Sequence, residues 1–214
     1  MLKRIAVTCL ALGAVGFLAG CSSAGTQPAA QQSGLGDQQQ VGRFQGAGLI
    51  PARPRPQFTL TDQNGTAFDF GAQTKGKPTL LFYGYTHCPD ECPATMADVA
   101  LALSKLPASL QHDTDVVFVT TDPTHDSPAR MKQWLSTFAR GTQARWIGLT
   151  GSQAQIDSAQ AAAHIQLAED NGETHSTQLL LFGPDDYARV SFLRTDSEAD
   201  QIQHDLPLVA QSAS

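Results

Sequence analysis

Three short apolar segments constrain this chain more than any other feature, because each is followed by a stretch in which apolar residues recur at helical spacing. Thr79 to Tyr83 reads as a buried strand, and beyond it Met96, Val99, Ala100 and Leu103 share one helical face between Pro93 and Leu106. Val116 to Thr121 is a β-branched strand. Ser127-Pro128 then reads as an N-cap and first helical residue, with Met131, Trp134, Leu135 and Phe138 at i, i+3, i+4 and i+7. Trp146 to Thr150 is the third strand, and Ser152-x-x-Gln155 is a capping box opening an Ala-rich helix to about His164. Hairpins bracket the series. Phe58–Thr61 and Thr66–Phe70 flank Asn64-Gly65 before it, and Thr177–Phe182 and Ala188–Phe192 flank Gly183-Pro184-Asp185-Asp186 after it. A last helix is expected from near Ser197 to just before Pro207. Alternating βα units predict a mostly parallel sheet covered by helices, with an antiparallel edge.

The N-terminus reads as an address. Lys3 and Arg4 precede a 15-residue apolar stretch from Ile5 to Ala19, short for a spanning helix and suited to a signal-peptide core. It ends in Leu18-Ala19-Gly20-Cys21, which resembles a bacterial lipobox. Residues 1–20 are therefore expected to be removed and Cys21 to be lipidated, with two or three acyl chains giving firm anchoring. From there to residue 53 the chain is rich in Gln, Gly, Ala, Ser and Pro, and it reads as a flexible tether ahead of a folded domain over 54–214. The expected location is the extracytoplasmic face of a bacterial cell membrane.

Charge narrows the partners. Lys plus Arg number 14 against 20 for Asp plus Glu, net −6, with no basic run, so nucleic acid is excluded as a partner. The single long apolar run excludes a polytopic membrane protein.

Of the four cysteines, Cys9 leaves with the signal and Cys21 is blocked, so Cys88 and Cys92 alone remain as thiols outside the reducing cytoplasm. They stand in Gly84-Tyr85-Thr86-His87-Cys88-Pro89-Asp90-Glu91-Cys92-Pro93, after a strand and at the opening of a helix. Ligands of open α/β sheets bind at that edge, and a helix N-terminus lowers a thiol's pKa. On one helical turn the two Cα atoms would lie about 6 Å apart, within reach of a disulfide or of one shared ion. A purely structural disulfide closing so small a loop would stabilise by only roughly 2 kcal/mol. Reactive or metal-binding use is the better reading.

These residues resemble a known family. "GYTHCPDECPATMADV" at 84–99 is similar to the Sco/SenC copper-chaperone signature, a Cys-x-x-x-Cys-Pro motif on a thioredoxin-like fold. Thr121-Asp122-Pro123-x-x-Asp126-Ser127-Pro128 resembles the family's second block. Thr174-His175-Ser176 with Gln178 to Asp185 resembles its third, in which a histidine precedes a strand; the chain departs from the pattern at Thr174 and at Gln178-Leu179. The resemblance implies an α/β, thioredoxin-like three-layer sandwich with an N-terminal β-hairpin extension. It also implies copper held by Cys88, Cys92 and His175 and delivered to the CuA site of cytochrome c oxidase subunit II. An upstream copper donor and a thiol reductant complete the implied partners.

The donor types agree with copper. Two thiolates and an imidazole form a soft, low-coordinate set that suits Cu(I), with Cu(II) the second state to consider, whereas structural zinc would want a fourth ligand. Three donors leave room for a partner's Cys or His to enter. Asp122, at the end of the neighbouring strand, is a candidate to tune the site or a plain Asp-Pro turn. His87 reads as a rim residue, and His112, His125, His164 and His204 as solvated. The rival function is a thiol–disulfide oxidoreductase that uses a Cys88–Cys92 redox disulfide to reduce the oxidase's copper-site cysteines; a peroxide-reducing relative is more distant. A thioredoxin-type reductase would have Cys-x-x-Cys and a cis-proline opposite it. This chain has an extra residue between the cysteines and no proline near His175.

Overall fold

The computed structural model describes residues 42–212. The expected signal peptide, Cys21 and the tether as far as residue 41 lie outside the described residues. The strands are β1 (Ala47–Pro54), β2 (Thr59–Asp62), β3 (Ala67–Asp69), β4 (Thr79–Gly84), β5 (Asp115–Thr120), β6 (Arg145–Thr150), β7 (Leu179–Phe182) and β8 (Tyr187–Phe192). The helices are α1 (Phe70–Gln73), α2 (Glu91–Ser104), α3 (Ala108–Asp113), α4 (Pro128–Ala139), α5 (Gln153–Ala162) and α6 (Glu198–Ala210). Among the described residues no helix is long and apolar enough to cross a membrane.

Among the described residues the eight strands form one sheet in the order β1-β8-β7-β4-β5-β6-β2-β3. The central strand β4 is buried along its whole length. Its alternate residues feed two cores, Leu80 and Phe82 on one face, Leu81 and Tyr83 on the other. On the first face Met96 and Val99 of α2, Met131 and Leu135 of α4, and Ile202 and Leu206 of α6 pack on the sheet. On the second face Ile156 and Ala159 of α5 join Phe70 of α1 and Leu60 and Phe68 of the N-terminal hairpin. Each large side chain buried this way stabilises the fold by about 1.5–3 kcal/mol. Helix, sheet, helix is the three-layer, thioredoxin-like arrangement expected, with β2–β3 as the hairpin extension.

Local chemistry explains the element ends. Ser127 accepts from the Arg130 N–H and Pro128 takes the first turn of α4, while Ser152 and Gln155 form the reciprocal capping box of α5. Gly65 adopts a positive φ of 82° at the tip of the first hairpin.

Three expectations change. The sheet is not mostly parallel: only β4–β5 and β5–β6 pair in parallel, because both hairpins add antiparallel strands beside the central three. The tether does not reach residue 53, since Ala47–Pro54 pairs with β8 as an edge strand. The last helix does not stop before Pro207 but runs through it to Ala210, held by buried Leu206 and Val209 on either side.

Arg55 fastens the start of the domain. Its side chain, 1% exposed, forms an ion pair with Asp186 at 2.8 Å and donates to Thr74 Oγ1, Thr79 Oγ1 and the carbonyls of Lys77 and Gly183. Burial lowers its pKa, with Asp186 acting in the opposite direction. Arg55→Met should therefore cost about 1–3 kcal/mol, read as a lower midpoint in urea unfolding at unchanged slope, because the Gly183 and Lys77 carbonyls lose their donor while the part-exposed Asp186 can turn to water.

Candidate metal centre

Sheet order places three loops at one edge. β5 runs parallel to β4, so the loops that follow Gly84 and Thr120 leave the sheet on the same side. β7 is antiparallel to β4 and pairs Leu180 with Leu81, so the segment entering β7 arrives at that side too. The first loop carries Cys88 and Cys92, the second Asp122 and the third His175.

Cys92 is the second residue of α2 and is fully buried. Gly84 makes room for it: a Cβ there would stand 2.7 Å from Cys92 Sγ. Cys88 precedes the helix rather than forming part of its first turn, and its sulfur accepts the Cys92 N–H at 3.4 Å. Asp90, the N-cap residue, makes no side-chain cap bond, so the Cys88 sulfur serves in its place. Both thiols are free.

The two sulfurs differ electrostatically. Partial burial pushes the Cys88 thiol up, but the N–H groups of Cys92 and Asp90 and the side chains of Cys92 and Tyr85 outweigh it and leave the pKa below the ordinary thiol value. Burial dominates at Cys92 and drives its pKa strongly upward, reinforced by the neighbouring Cys88 charge.

His175 reaches the buried sulfur. Its Nε2 lies 3.5 Å from Cys92 Sγ, and its Nδ1 donates to the Ser176 carbonyl at 2.9 Å. A carbonyl only accepts, so the proton sits on Nδ1 and the Nε2 lone pair faces the sulfur. Tyr85 and Phe82 flank the ring edge-on, at centroid distances of 5.5 and 6.2 Å. Burial lowers the His175 pKa, which favours the neutral ring that a metal requires. The Tyr85 hydroxyl is itself pushed up to about 12, by desolvation first and then by Cys88.

The histidine loop is pinned to the second loop. Thr121 Oγ1 donates to the Gly172 carbonyl at 2.7 Å, and Gly172, at φ 95°, packs so closely that a Cβ would meet the Thr121 carbonyl oxygen at 2.2 Å. The two departures from the family pattern hold its ends. Thr174 Oγ1 donates to Asp170, and Gln178 bonds Arg53 of β1 and Ser191 of β8.

Cys92 and His175 thus meet, with Cys88 beside them at the helix end. Among the described residues, however, these three do not bring all their donor atoms within 4.8 Å of one another. Since Cys92 and His175 already touch, Cys88 is the side chain that must turn inward for a common ion. Asp122 bonds His125 Nδ1 at 2.6 Å and lies 3.6 Å from His87 Nε2. His87 is the rim residue expected, but His125, expected to be simply solvated, is held by a buried carboxylate.

Sequence reasoning assigned no role to Asp126, which is fully buried. It accepts the Thr86 N–H, the Thr86 hydroxyl and the Thr120 hydroxyl, and so ties the cysteine loop to the end of β5. The available signal was an acid one residue ahead of the Ser-Pro helix start and just past a buried strand.

A buried thiol touching an imidazole, with a second thiol beside it, at the edge of a three-layer α/β domain places the chain among thioredoxin-like proteins. Known proteins narrow that class. The SCO1/SenC family model matches residues 50–210. A putative copper-binding protein of Stutzerimonas stutzeri is 34% identical over 168 residues, 75% of this chain and 79% of that one. Protein SenC of Rhodobacter capsulatus is 34% identical over 146 residues, 65% and 63% of the two chains. Bradyrhizobium japonicum ScoI, whose structure holds copper, superposes with a TM-score of 0.58 at 31% identity, covering 73% of this chain and 99% of that one. The chain belongs to the SCO1/SenC family.

The contrast between the thiols is directly measurable. Iodoacetamide should modify the half-buried Cys88 well ahead of Cys92, at a rate that stays appreciable below the usual thiol pKa and falls as acid protonates Cys88. Peptide mapping of a labelling time course at several pH values checks this; equal labelling of both residues would contradict it.

Proposed function

We propose that this protein is a copper chaperone in which reduced Cys88 and Cys92, with His175, hold copper as cargo. The observation that carries the reading is the contact between Cys92 Sγ and His175 Nε2 at 3.5 Å, made between two loops that only the folded sheet brings together. Copper-bound ScoI and the copper-binding relative from S. stutzeri support the choice of metal. Copper supplies a soft, thiophilic acceptor, and the protein supplies a thiolate-prone Cys88, a buried Cys92 whose proton the metal replaces, and an imidazole fixed in its metal-binding tautomer. Phe82 and Tyr85 keep water from the inner side. With three donors on the ion, a fourth coordination position is left on the side of the more exposed Cys88, where a recipient's cysteine or histidine can enter and exchange ligands.

The recipient in this reading is the CuA site of cytochrome c oxidase subunit II. BsSco, whose fold this chain shares, is a member of the Sco family of cytochrome c oxidase assembly proteins. Lipidation at Cys21 would hold the domain at the outer face of the bacterial membrane, and the Gln- and Gly-rich stretch that follows would tether it there, ending before Phe44 and Gln45, which dock on the core and on Asp205. Oxidation to a Cys88–Cys92 disulfide removes both sulfur donors, so a thiol reductant must precede loading.

Anaerobic titration of the reduced protein with Cu(I) against a chromogenic competitor tests the site. The wild type should bind one equivalent. Cys88→Ser and Cys92→Ser should each abolish tight binding, and His175→Ala should weaken it by at least about tenfold, or 1.4 kcal/mol. Unchanged affinity in His175→Ala, together with full disulfide-reductase activity, would transfer the function to thiol exchange.

A further inference from the structure

A second group of potential ligands lies outside the thiol pocket. His87, Asp122 and His125 are, among the described residues, the one set of three whose donor atoms all lie within 4.8 Å of one another. Asp122 is the fixed point. Its side chain is 4% exposed, its Oδ1 accepts the His125 N–H at 3.3 Å, and its Oδ2 faces both rings, His125 Nδ1 at 2.6 Å and His87 Nε2 at 3.6 Å. The two rings lie edge to face with centroids 5.3 Å apart and open to solvent.

We propose that His87, Asp122 and His125 form a second metal site, for a divalent first-row cation such as Cu(II) or Zn(II). Two imidazoles and one carboxylate are nitrogen and oxygen donors of intermediate softness. That set suits a divalent ion and is poor for Cu(I), which prefers sulfur. The charge balance is favourable: one carboxylate against a divalent ion leaves +1 on a net-acidic chain. The metal takes the place of the hydrogen between His125 and Asp122. The Nδ1 proton of His125 moves to the solvent-facing Nε2 of the same ring, and Nδ1 becomes the donor. His125, with a side chain 63% exposed, can swing outward by the small amount needed to admit an ion, while Asp122 stays anchored on the second loop. Remaining coordination positions face solvent.

The site adjoins the thiol pocket. His87 is bonded in sequence to Cys88, and the Tyr85 ring lies between His87 at 4.7 Å and His175 at 5.5 Å. One sheet edge thus carries a sulfur-rich set beside a nitrogen and oxygen set, suited to different oxidation states of one metal or to different metals. The second set does not depend on whether the cysteines carry copper.

The test uses the mature chain with Cys88→Ser and Cys92→Ser, which silences the sulfur donors. Titration with Cu(II), and separately with Zn(II), should give one equivalent bound, and the Cu(II) electron paramagnetic resonance spectrum should carry hyperfine splitting from two nitrogens. In that background His125→Ala or His87→Ala should weaken binding at least tenfold, while His175→Ala leaves it unchanged. In the unmutated chain, Zn(II) should shift the His87 and His125 ring resonances, a readout that needs no folded variant. His125→Ala in the unmutated chain should leave Cu(I) affinity intact, so failure here is separable from failure of the chaperone reading. Binding that survives loss of both histidines, or that disappears with His175→Ala instead, would overturn the proposal.

Discussion

The contact between Cys92 Sγ and His175 Nε2 depends on strand pairing more than on either loop. The two residues are 83 positions apart and meet because β7 lies antiparallel against β4, which puts the end of one strand beside the start of the other. The parallel neighbour β5 brings a third loop to the same edge. Asp126 and Thr121 then fix the loops to one another, the first through Thr86 and Thr120, the second through the Gly172 carbonyl. Close approach at Gly84 and Gly172 leaves no room for a side chain at either position. The histidine is therefore held by backbone geometry as well as by its own hydrogen bond to Ser176.

The two sulfurs are unlike, and the difference suits a carrier. Cys88 accepts helix N-terminal N–H groups at the boundary with solvent and ionises readily; Cys92 is buried and holds its proton until something replaces it. In the proposed reading an incoming soft cation meets the first thiolate and then displaces the second proton, and release runs in the opposite order. Tyr85, stacked edge-on against His175, closes the inner wall.

Much of this was readable from local signals. Ser127-Pro128, Ser152 with Gln155, and Asn64-Gly65 each solve a backbone hydrogen-bonding or φ problem within a few residues, and the elements they mark stand where the pattern put them. Long-range relations were less legible. Nothing in Thr177–Phe192 says that this hairpin inserts next to β4 rather than adding to the outside, so the balance of parallel and antiparallel pairing is not legible in the sequence. β1 contains Gly48, Pro51 and Pro54, shows no alternation and is half exposed, since it pairs on only one side. Pro207 reads as a stop because proline cannot donate in a helix, yet burial of Leu206 and Val209 carries α6 past it. At the site, the motif blocks mark the loops on which Cys92 and His175 meet. His125 carried no motif, and only the fold reveals that it shares a carboxylate oxygen with His87.

The central claim is that Cys88, Cys92 and His175 close around one copper ion, and X-ray absorption at the copper K-edge measures it most directly. The reduced protein loaded with one equivalent of Cu(I) should show a shell of two sulfurs and one imidazole nitrogen, and His175→Ala should lose the nitrogen while keeping both sulfurs. A sulfur-only shell in the wild type, or a nitrogen shell that survives His175→Ala, would contradict it.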